Sequence, residues 1–577
     1  MEYFRSVKKY INRYKWFYVL SVILLLAVDI FNAQIPKLTG SAVNAAKIKN
    51  ITEVKGYVVS IIIFAFLTLI FRMIYRFTLT TTARKIERDL RNDLYDRLIG
   101  LSSSFYDQHK IGDLIARLNN DTNAVRMSLG FGVLGIVDTF AITIISIYMM
   151  WTINVSLTMI VFVPMLIIPL IVLFLVRKVH ILFKKVQEGF SNLSTAVQED
   201  ASGISVIKSY SSEENFYKRF EKLADEYAVR NIKLAKVWGL LWPLVDILEG
   251  ISIFILIYFG GKMIMNNELS IGGFTAFIGY SLNISWPMIA LGWVINLYER
   301  GSASMKRIKE YMSAVSEVKD SPDAIDVDIN EGSIMVKNLS FSYSDDRQIL
   351  RNINMSINPG NVVAVVGQIG SGKSTLIQLL PRMYEPPRDT IFIDGMDVRT
   401  IKLRNLRKAI GFVPQKNFLF ADTIKNNLVF GVEDYDDEMI NEALRVARFD
   451  KDLDAFPKGL DTIIGEKGVN LSGGQKQRLS IARAVIKKPK ILILDDSLSS
   501  VDTRTEYEIV VNLKELVRKN NMTTIFATHR LASLKWMDKI FVLENGAMVE
   551  SGTFDELINL NGVYASMYAK QNQEANE

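Results

Sequence analysis

The chain has 577 residues, of which 49% are hydrophobic and only 22% are charged, and its formal net charge is +7. A mean hydropathy of +0.17 over this length favours a membrane protein with more than one domain. The chain has no cysteine and only three histidines, which excludes a disulfide scaffold, thiol catalysis and a cysteine metal site and argues against a histidine one. The positive charge requires no nucleic-acid partner, because membrane proteins carry an excess of Lys and Arg on their cytoplasmic side.

Long apolar stretches occupy the first 300 residues. A helix needs about 20 mostly apolar residues to cross the hydrocarbon core, and most of the stretches have about that length. We therefore predict six transmembrane helices. The stretches are Trp16–Pro36, Gly56–Phe71, Met127–Trp151, Val155–Val176, Trp238–Gly261 and Leu269–Tyr298.

The basic residues predict an orientation for these spans. Five of them precede the first span, which places the N-terminus in the cytoplasm, and an even number of spans returns the chain there. The polar stretches 78–126 and 177–236 mix apolar and charged residues at helical spacing, so we expect the helices to continue well into the cytoplasm. The five basic residues are Arg5, Lys8, Lys9, Arg13 and Lys15.

Four acidic residues interrupt the apolar stretches. An acid within a span is costly and should face a cavity or a partner. The four acids would suit a cationic amphipathic cargo, but they could equally lie at interfaces or pair with Arg72 or Arg76, and the sequence leaves this open. They are Asp29, Asp138, Asp246 and Glu249.

The composition changes after residue 312, which ends the predicted transmembrane domain of residues 1–312. Residues 313–332 are acidic and lack a sustained apolar period, so we interpret them as an interdomain linker. In residues 333–570, short β-like runs alternate with helix-like ones, which predicts an α/β domain with a mainly parallel sheet. Residues 571–577 are predicted to be a frayed tail.

A phosphate-binding loop is the strongest local signal. The apolar strand Val362–Val366 runs into a glycine-rich loop and then a helix, as such a loop requires. Its glycines let the backbone fold around phosphate oxygens, and the helix N-terminus favours an anion. Lys373 should pair with the β- and γ-phosphates, and the Ser374 hydroxyl should bind Mg²⁺. The predicted nucleotide-binding residues of this segment are Gly367, Gln368, Gly370, Ser371, Gly372, Lys373, Ser374 and Thr375.

A second strand, ILILDD, ends in two acids. Its apolar residues predict a strand that is buried on both faces. Asp495 is placed to hold Mg²⁺, directly or through water. Asp496 lies one residue further toward the γ-phosphate, where a group can orient or deprotonate the attacking water.

The pentapeptide LSGGQ, Leu471–Gln475, lies shortly before this strand. Together with the phosphate loop and the acid-ended strand, it makes the sequence resemble the ATP-binding cassette (ABC) transporters over nearly its whole length, in the layout of a half-size exporter. The resemblance implies a multidomain membrane protein, in which a six-helix transmembrane domain precedes an α/β P-loop nucleotide-binding domain with a helical subdomain. It implies ATP and Mg²⁺ as cofactors.

Further family elements follow in the family's order. The resemblance implies that Tyr343 stacks on adenine and that His529 contacts the γ-phosphate. It implies that Gln415 lies between the Mg²⁺ site and the transmembrane contact, where it is a third Mg²⁺ ligand and a catalytic residue together with Asp496 and His529. Ser499–Asp502 matches the D-loop. Each of these residues alone would be an ordinary structural or surface residue, and their order carries the assignment.

The signature implies a partner. In this family two cassettes meet head to tail, and the signature of one clamps the ATP that the phosphate loop of the other holds. A single cassette cannot complete a site, so the chain should dimerise with a second ABC half-transporter. The implied clamping residues are Ser472, Gly473, Gly474 and Gln475.

The second acid departs from the family's usual pattern, which has Glu where this chain has Asp496. Asp is shorter by one C–C bond, about 1.5 Å, and such a misplacement can cost around 10²-fold in rate. The pattern resembles one subunit of the heterodimeric bacterial multidrug ABC exporters, which binds ATP at a weak site and offers an intact signature to its partner. A homodimer in which Asp serves adequately remains the alternative.

The resemblance also bears on coupling, cargo and location. His109–Asp121 and Gln198–Glu214 are similar to the family's coupling helices. The implied function is export of hydrophobic, drug-like compounds from a multi-pass protein of the cytoplasmic membrane, in contact with membrane lipid. A lipid or lipopeptide flippase and a non-transporting ATP-gated channel or sensor remain alternatives.

Overall fold

The computed structural model describes residues 2–343, 348–468, 470–531 and 534–576. The chain divides into two compact units. The helical unit contains residues 1–99 and 111–314, and the α/β unit contains residues 100–110 and 315–577.

The first half of the chain is entirely helical. Several long helical stretches are joined by short loops or short helices. Two π-helical turns, Arg117–Asp121 and Ser128–Gly132, interrupt the third long stretch. The helices are α1 (Glu2–Arg13), α2 (Lys15–Lys47), α3 (Ile51–Ile99), α4 (Ser103–Gln108), α5 (Ile111–Ala116), α6 (Thr122–Met127), α7 (Val133–Ile153), α8 (Val155–Ser202), α9 (Ile204–Ser209), α10 (Glu213–Met265) and α11 (Ile271–Ser313).

Four of the long stretches are apolar enough to cross a membrane, within the part of the chain that the structure describes: Lys15–Lys47, Ile51–Ile99, Ile111–Ile153 and Asp246–Met265. The predicted fourth and sixth spans fall on the long helices α8 and α11, some of whose side chains lie outside the described residues. Only 6% of the apolar window of Ile51–Ile99 is buried within the chain, as expected of a helix that faces lipid.

The long helices exceed the membrane's thickness. Helix α3 has 49 residues, which corresponds to about 73 Å against about 30 Å of hydrocarbon. Hydrogen bonds join the C-terminal half of α3, and the third long stretch, to other helices of the same unit. Asp89 accepts hydrogen bonds from Arg13 and Tyr14, both at 2.9 Å, and the buried Asp121 accepts one from Arg307 at 3.0 Å.

One of the two predicted coupling helices is misplaced. The sequence predicts a short helix set across the long ones at His109–Asp121, but most of this segment begins the third long stretch, as α5 and a π turn. The separate short helix is α4, just before it. At the second predicted position the structure has a short helix, α9, within Gln198–Glu214, and its role as a coupling helix stays a prediction.

The second half of the chain has an α/β fold. Its strands and helices are β1 (Ile334–Ser342), β2 (Gln348–Ile357), β3 (Val362–Val366), α12 (Lys373–Leu379), β4 (Ile391–Ile393), β5 (Met396–Asp397), α13 (Leu403–Ala409), β6 (Ile410–Val413), α14 (Ile424–Leu428), α15 (Asp437–Val446), α16 (Asp450–Leu453), α17 (Gly473–Val485), β7 (Ile491–Asp495), α18 (Thr503–Asn520), β8 (Thr523–Thr528), β9 (Lys539–Glu544), β10 (Ala547–Gly552), α19 (Phe554–Asn559) and α20 (Val563–Asn576).

The strands form two sheets. The larger has the order β10-β9-β3-β8-β7-β6, and all of its neighbouring pairs are parallel except β10 with β9. This confirms the predicted mainly parallel sheet. The smaller sheet, β2-β1-β4-β5, is antiparallel. Every residue of β3 and β7 is buried, as their apolar runs predict.

The C-terminus differs from the prediction. The sequence predicts a frayed tail over residues 571–577, but α20 continues through them to Asn576. Its first turn is fixed, because the Tyr564 side chain is fully buried and the Glu550 carboxylate accepts a hydrogen bond from the Tyr564 backbone N–H at 3.0 Å.

Candidate nucleotide-binding site

The phosphate loop joins the buried strand β3 to helix α12. Gly372 has φ +101°, in the left-handed region, and a Cβ there would lie 2.8 Å from the Leu350 side chain. Only glycine fits this position without strain. Inside the loop, the Lys373 Nζ donates hydrogen bonds to the carbonyl oxygens of Gly367 at 2.7 Å and Gln368 at 2.9 Å. The loop is therefore curled around its own lysine.

Most of the predicted site residues of the α/β unit line one cavity of about 450 Å³, whereas Gly367 and Gln368 of the phosphate loop and the four signature residues are not among its lining residues. Parallel strands place their carboxyl ends at one edge of a sheet, so β3, β7 and β8 deliver the phosphate loop, the two acids and His529 to the same place. The lining residues are Tyr343, Ile349, Ile369, Gly370, Ser371, Gly372, Lys373, Ser374, Thr375, Gln415, Asp495, Asp496, Ala527 and His529.

One lysine and two aspartates lie together in this cavity. Burial lowers the pKa of Lys373, while the neighbouring carboxylates of Asp496 and Asp495 act in the opposite direction. A phosphate group would add negative charge beside the ammonium and favour its protonated form. Lys373 is thus placed to bind an anion in the cavity.

The two residues predicted to hold Mg²⁺ are in contact. The Ser374 hydroxyl donates a hydrogen bond to Asp495 Oδ1 at 3.0 Å. The other carboxylate oxygen, Oδ2, is buried and accepts no hydrogen bond from the described part of the chain. Burial raises the pKa of Asp495, and the hydrogen bond from Ser374 opposes that rise.

These atoms fit a divalent cation. A hydroxyl and a carboxylate are hard oxygen ligands of the kind that Mg²⁺ prefers. A cation would also give the buried Oδ2 atom of Asp495 a favourable electrostatic partner. Gln415, the third predicted ligand, lines the same cavity. Within the described residues no group of three or more His, Cys, Asp or Glu could hold a metal, so phosphate oxygens would have to complete the shell.

Asp496 and His529 form a pair at the ends of neighbouring strands. His529 Nδ1 lies 2.9 Å from Asp496 Oδ1. Asp496 has φ +45°, a left-handed conformation that Asp tolerates better than most residues, and its backbone N–H donates to the carbonyl oxygen of Ala527 at 2.8 Å. The carboxylate predicted to act on water is therefore engaged by the histidine predicted to contact the γ-phosphate.

Tyr343 also lines the cavity. Its hydroxyl is hydrogen-bonded to Thr375 Oγ1 at 3.1 Å, and burial raises its pKa. Two other rings pack against the Tyr343 ring in edge-to-face geometry. The centroid of Phe341 lies 5.2 Å away and that of Tyr384 lies 4.8 Å away. Its side chain is still 48% exposed, which leaves ring surface available to stack on a base.

The signature residues lie elsewhere on the α/β unit. Ser472 caps helix α17, accepting a hydrogen bond from the Gln475 N–H at 3.2 Å, while Gln475 Oε1 accepts one from the Ser472 N–H at 2.9 Å. Asp452 fixes this end of the helix through Gln475 and Arg478. None of Ser472, Gly473, Gly474 and Gln475 lines the cavity, so the structure does not bring the signature to the chain's own phosphate loop.

Sequence reasoning missed two residues that hold the D-loop. The buried Gln477 donates to Ser499 Oγ at 3.0 Å and accepts from the Ser500 N–H at 2.9 Å. From the other side, Arg530 donates to the Ser499 carbonyl oxygen at 2.6 Å and pairs with Glu506 at 2.6 Å. The available signals were a polar side chain on the buried face of α17 and an arginine directly after His529.

The fold and the site define a class. A unit of long apolar helices precedes a P-loop domain, in which one cavity gathers the lysine, serine, paired acids and histidine of a nucleotide-hydrolysing site. The family model described as the ABC transporter transmembrane region matches residues 18–288, and the one described as ABC transporter matches residues 350–499. The chain belongs to the ABC transporters and has the layout of a half-size exporter that hydrolyses ATP.

Similar proteins cover nearly the whole chain. A probable multidrug resistance ABC transporter ATP-binding/permease protein (YheI) of Bacillus subtilis is 37% identical over 96% of this chain and 95% of its own length. An ATP-dependent lipid A-core flippase of Syntrophus aciditrophicus is 34% identical over 85% of this chain and 81% of its own. The ATP-bound structure of a bacterial Atm1-family ABC exporter matches with a TM-score of 0.76 at 26% identity, covering 96% of this chain and 98% of that one.

Proposed function

We propose that this chain is one half of a heterodimeric ABC exporter that moves hydrophobic or amphipathic compounds out across the cytoplasmic membrane. In this proposal its own ATP site turns over slowly, and its LSGGQ signature completes the productive site of the partner. The observation that carries the proposal is the pairing of Asp496 with His529 at 2.9 Å in a site whose other parts are complete.

The proposed slow turnover follows from the short side chain of Asp496, which limits how close its carboxylate can come to the attacking water. The family's usual Glu is longer than Asp by about 1.5 Å, and a general base must come within hydrogen-bond distance of the water it deprotonates. Asp496 is held by a backbone hydrogen bond at the end of β7, and its side chain is in contact with His529. It has neither the length nor the freedom to reach further toward a γ-phosphate.

The signature supports the second half of the proposal. Its residues form an intact, capped N-terminus on the 13-residue helix α17, where backbone N–H groups can bind a phosphate. Because none of them lines the chain's own cavity, they are available to a second cassette. A head-to-tail dimer brings them to the partner's ATP.

The proposal also includes the residues that would hold Mg²⁺ and the orientation of the chain in the membrane. Ser374 and Asp495, with Gln415 beside them, would hold Mg²⁺, which neutralises phosphate charge when bound. The lysines and arginines of α1 and the start of α2 support an orientation with the N-terminus, and the α/β unit, in the cytoplasm. ATP is then bound on the side of the membrane where it is made.

The heterodimer can be tested by ATPase assays on purified proteins. We expect the chain alone in lipid nanodiscs to hydrolyse ATP slowly, and to hydrolyse it at least about tenfold faster with a half-transporter that supplies Glu after its own acid-ended strand. Robust turnover by the chain alone, abolished by Asp496→Asn, would show instead that the homodimer is the working assembly.

A lipid flippase is the second candidate, favoured by the name of one relative. The two cargos are separated by reconstituting the transporter and measuring which compounds raise its ATPase rate. Stimulation by hydrophobic dyes but not by added lipid A or phospholipid supports drug export. The reverse pattern supports lipid transport.

A further inference from the structure

One segment between two long helices belongs to the α/β unit. Residues 100–110 lie between α3 and α5 in sequence, yet they form part of the compact unit that contains the nucleotide cavity. Helix α4 (Ser103–Gln108) makes two side-chain hydrogen bonds there. Asp107 Oδ2 accepts one from the Tyr384 hydroxyl at 2.7 Å, and Ser104 donates one to Glu317 at 2.6 Å.

Tyr384 is held in a rigid turn that follows α12. Arg382 is fully buried and has φ +50°. Its guanidinium pairs with Glu385 at 2.9 Å and donates to the carbonyl oxygens of Lys319 at 3.0 Å and Val398 at 3.3 Å. A buried guanidinium with this many partners fixes the backbone around it, so the position of Tyr384 is determined by the turn.

The ring of Tyr384 contacts Tyr343, a residue that lines the nucleotide cavity. The two rings pack at 4.8 Å and 78°, in the edge-to-face geometry that aromatic pairs prefer. The Tyr343 hydroxyl is in turn bonded to Thr375 of the phosphate-loop helix at 3.1 Å. Contacts therefore run without a gap from Thr375 through Tyr343 and Tyr384 to Asp107.

We propose that Tyr384 is a positioning residue that couples the base side of the nucleotide cavity to helix α4. A nucleotide that stacks on Tyr343 fixes its ring, Tyr384 follows through the ring contact, and its hydroxyl carries the change to Asp107. Because residues 100–110 continue directly into α3 and α5, the change reaches the helical unit through the chain itself. The proposal rests on ATP binding and is independent of the cargo and of the choice between homodimer and heterodimer.

The chemistry of the hydroxyl suits this role. Burial and the hydrogen bond to Asp107 raise the pKa of Tyr384 well above its ordinary value, so the group remains a donor throughout the physiological range. Removing the hydroxyl alone leaves the ring contact with Tyr343 in place. Tyr384→Phe therefore removes the hydrogen bond to Asp107 and preserves the ring contact with Tyr343.

The absence of cysteine from the chain makes the test direct. Gln108, exposed on α4, is replaced by Cys and labelled with an environment-sensitive fluorophore in the full-length chain in nanodiscs. The change in fluorescence on adding MgATP is measured, and nucleotide affinity is measured separately with a fluorescent ATP analogue. We expect Tyr384→Phe to reduce the fluorescence change about fivefold and to leave the affinity within about twofold.

Three further variants complete the test. Asp107→Ala should reduce the signal as Tyr384→Phe does, and the double variant should be no worse than either single one, because both remove the same link. Tyr507→Phe, at a tyrosine that is 69% exposed on α18, and Ser104→Ala, which removes the contact that does not lead to the cavity, should keep most of the signal.

Four results would overturn the proposal. They are a full fluorescence change in Tyr384→Phe, additive losses in the double variant, an equal loss in Ser104→Ala, or a loss of nucleotide affinity that matches the loss of signal. The last two would mean that Tyr384 only holds α4 or the cavity in place. Because slow ATP turnover affects none of these binding signals, failure here is distinguishable from failure of the proposed weak site.

Discussion

The Nδ1 atom of His529 lies 2.9 Å from the Oδ1 atom of Asp496, so the histidine and the second acid of the site contact each other directly. The two residues follow the neighbouring parallel strands β8 and β7. The contact with His529 uses one lone pair of Oδ1 and fixes the direction of the carboxylate, while its other lone pairs remain able to accept a proton. Side-chain length and pairing therefore act together on the chemistry of this site.

Asp496→Glu tests the contribution of length. The added methylene carries the carboxylate about 1.5 Å further and should let it reach a water near the γ-phosphate. We expect a clear gain in ATPase rate in a forced homodimer, where the opposing signature is intact. In the heterodimer we expect a small gain, because in this family a weak acid in one subunit often accompanies a damaged signature in the other.

His529→Ala is the matched control for that gain. It frees the carboxylate without lengthening it, and it removes the group predicted to contact the γ-phosphate, so its rate should not rise. A large gain for Asp496→Glu in the heterodimer would mean that the partner's signature is sound. No gain in a well-formed homodimer would mean that the length of the side chain at position 496 does not limit the ATPase rate.

Asp495→Asn separates metal binding from folding. Burial raises the pKa of Asp495, so folding disfavours the charged carboxylate relative to the unfolded chain. A neutral Asn should therefore cost the nucleotide-free protein little stability. The variant should lose the extra stabilisation that Mg²⁺ adds to ATP, since one hard oxygen ligand is gone. Thermal unfolding with ATP alone and with MgATP measures both effects.

Ser374→Ala is the control for this experiment. It removes the hydroxyl that contacts Asp495 at 3.0 Å and keeps the carboxylate, so it should lose part of the Mg²⁺-dependent stabilisation. If Asp495→Asn keeps the full difference between ATP and MgATP, the assignment of Asp495 to the metal is wrong.

The sequence predicted the nucleotide cavity well for a physical reason. The runs Val362–Val366 and ILILDD are apolar enough to form strands buried on both faces, and parallel strands bring their carboxyl ends together. Tyr384 could not be found in this way. It lies 41 residues from Tyr343, and only the turn held by the buried Arg382 brings the two rings together.

Two boundaries failed because local patterns are weak evidence for where a helix ends. Gly112 favours a break in a helical pattern, but it lies within α5, and a Cβ added there would meet no atom of the described residues within 4 Å. The glycine therefore only lowers helix propensity at this position. The polar C-terminal residues resemble a tail, yet α20 begins at Val563 beside the buried Tyr564 and extends through them.

Arg307→Ala should destabilise the helical unit. Asp121 is buried in a π turn, and it accepts hydrogen bonds from Arg307 and from Ser304, the latter at 2.9 Å. Removing the guanidinium leaves a buried carboxylate with fewer donors, which we expect to cost about 1–3 kcal/mol, since Arg307 itself is partly exposed. The neighbouring exposed Lys306→Ala is the control, and thermal unfolding in detergent should separate the two variants by several degrees.

The last prediction compares this chain's signature with its own second acid. A Cβ at Gly474 would lie 3.0 Å from the carbonyl oxygen of Ser500 and 3.3 Å from Arg478, so Gly474→Ala must displace the D-loop or the helix N-terminus. Ser472→Arg removes the hydroxyl that caps α17 and places a bulky cation there.

In the proposed heterodimer, both signature variants should nearly stop transport, because they would strip donors from the site where the partner is proposed to supply a Glu, and catalysis there is mostly placement and charge stabilisation. Asp496→Asn should change transport only modestly, because it alters the site that we propose to turn over slowly. Dye efflux from vesicles and ATPase rates measure the effects, and the binding of an ATP analogue to the chain alone should be unchanged in the two signature variants, whose residues do not line the cavity. If Asp496→Asn proves the more damaging change, the productive site is the one that this chain's own acid serves.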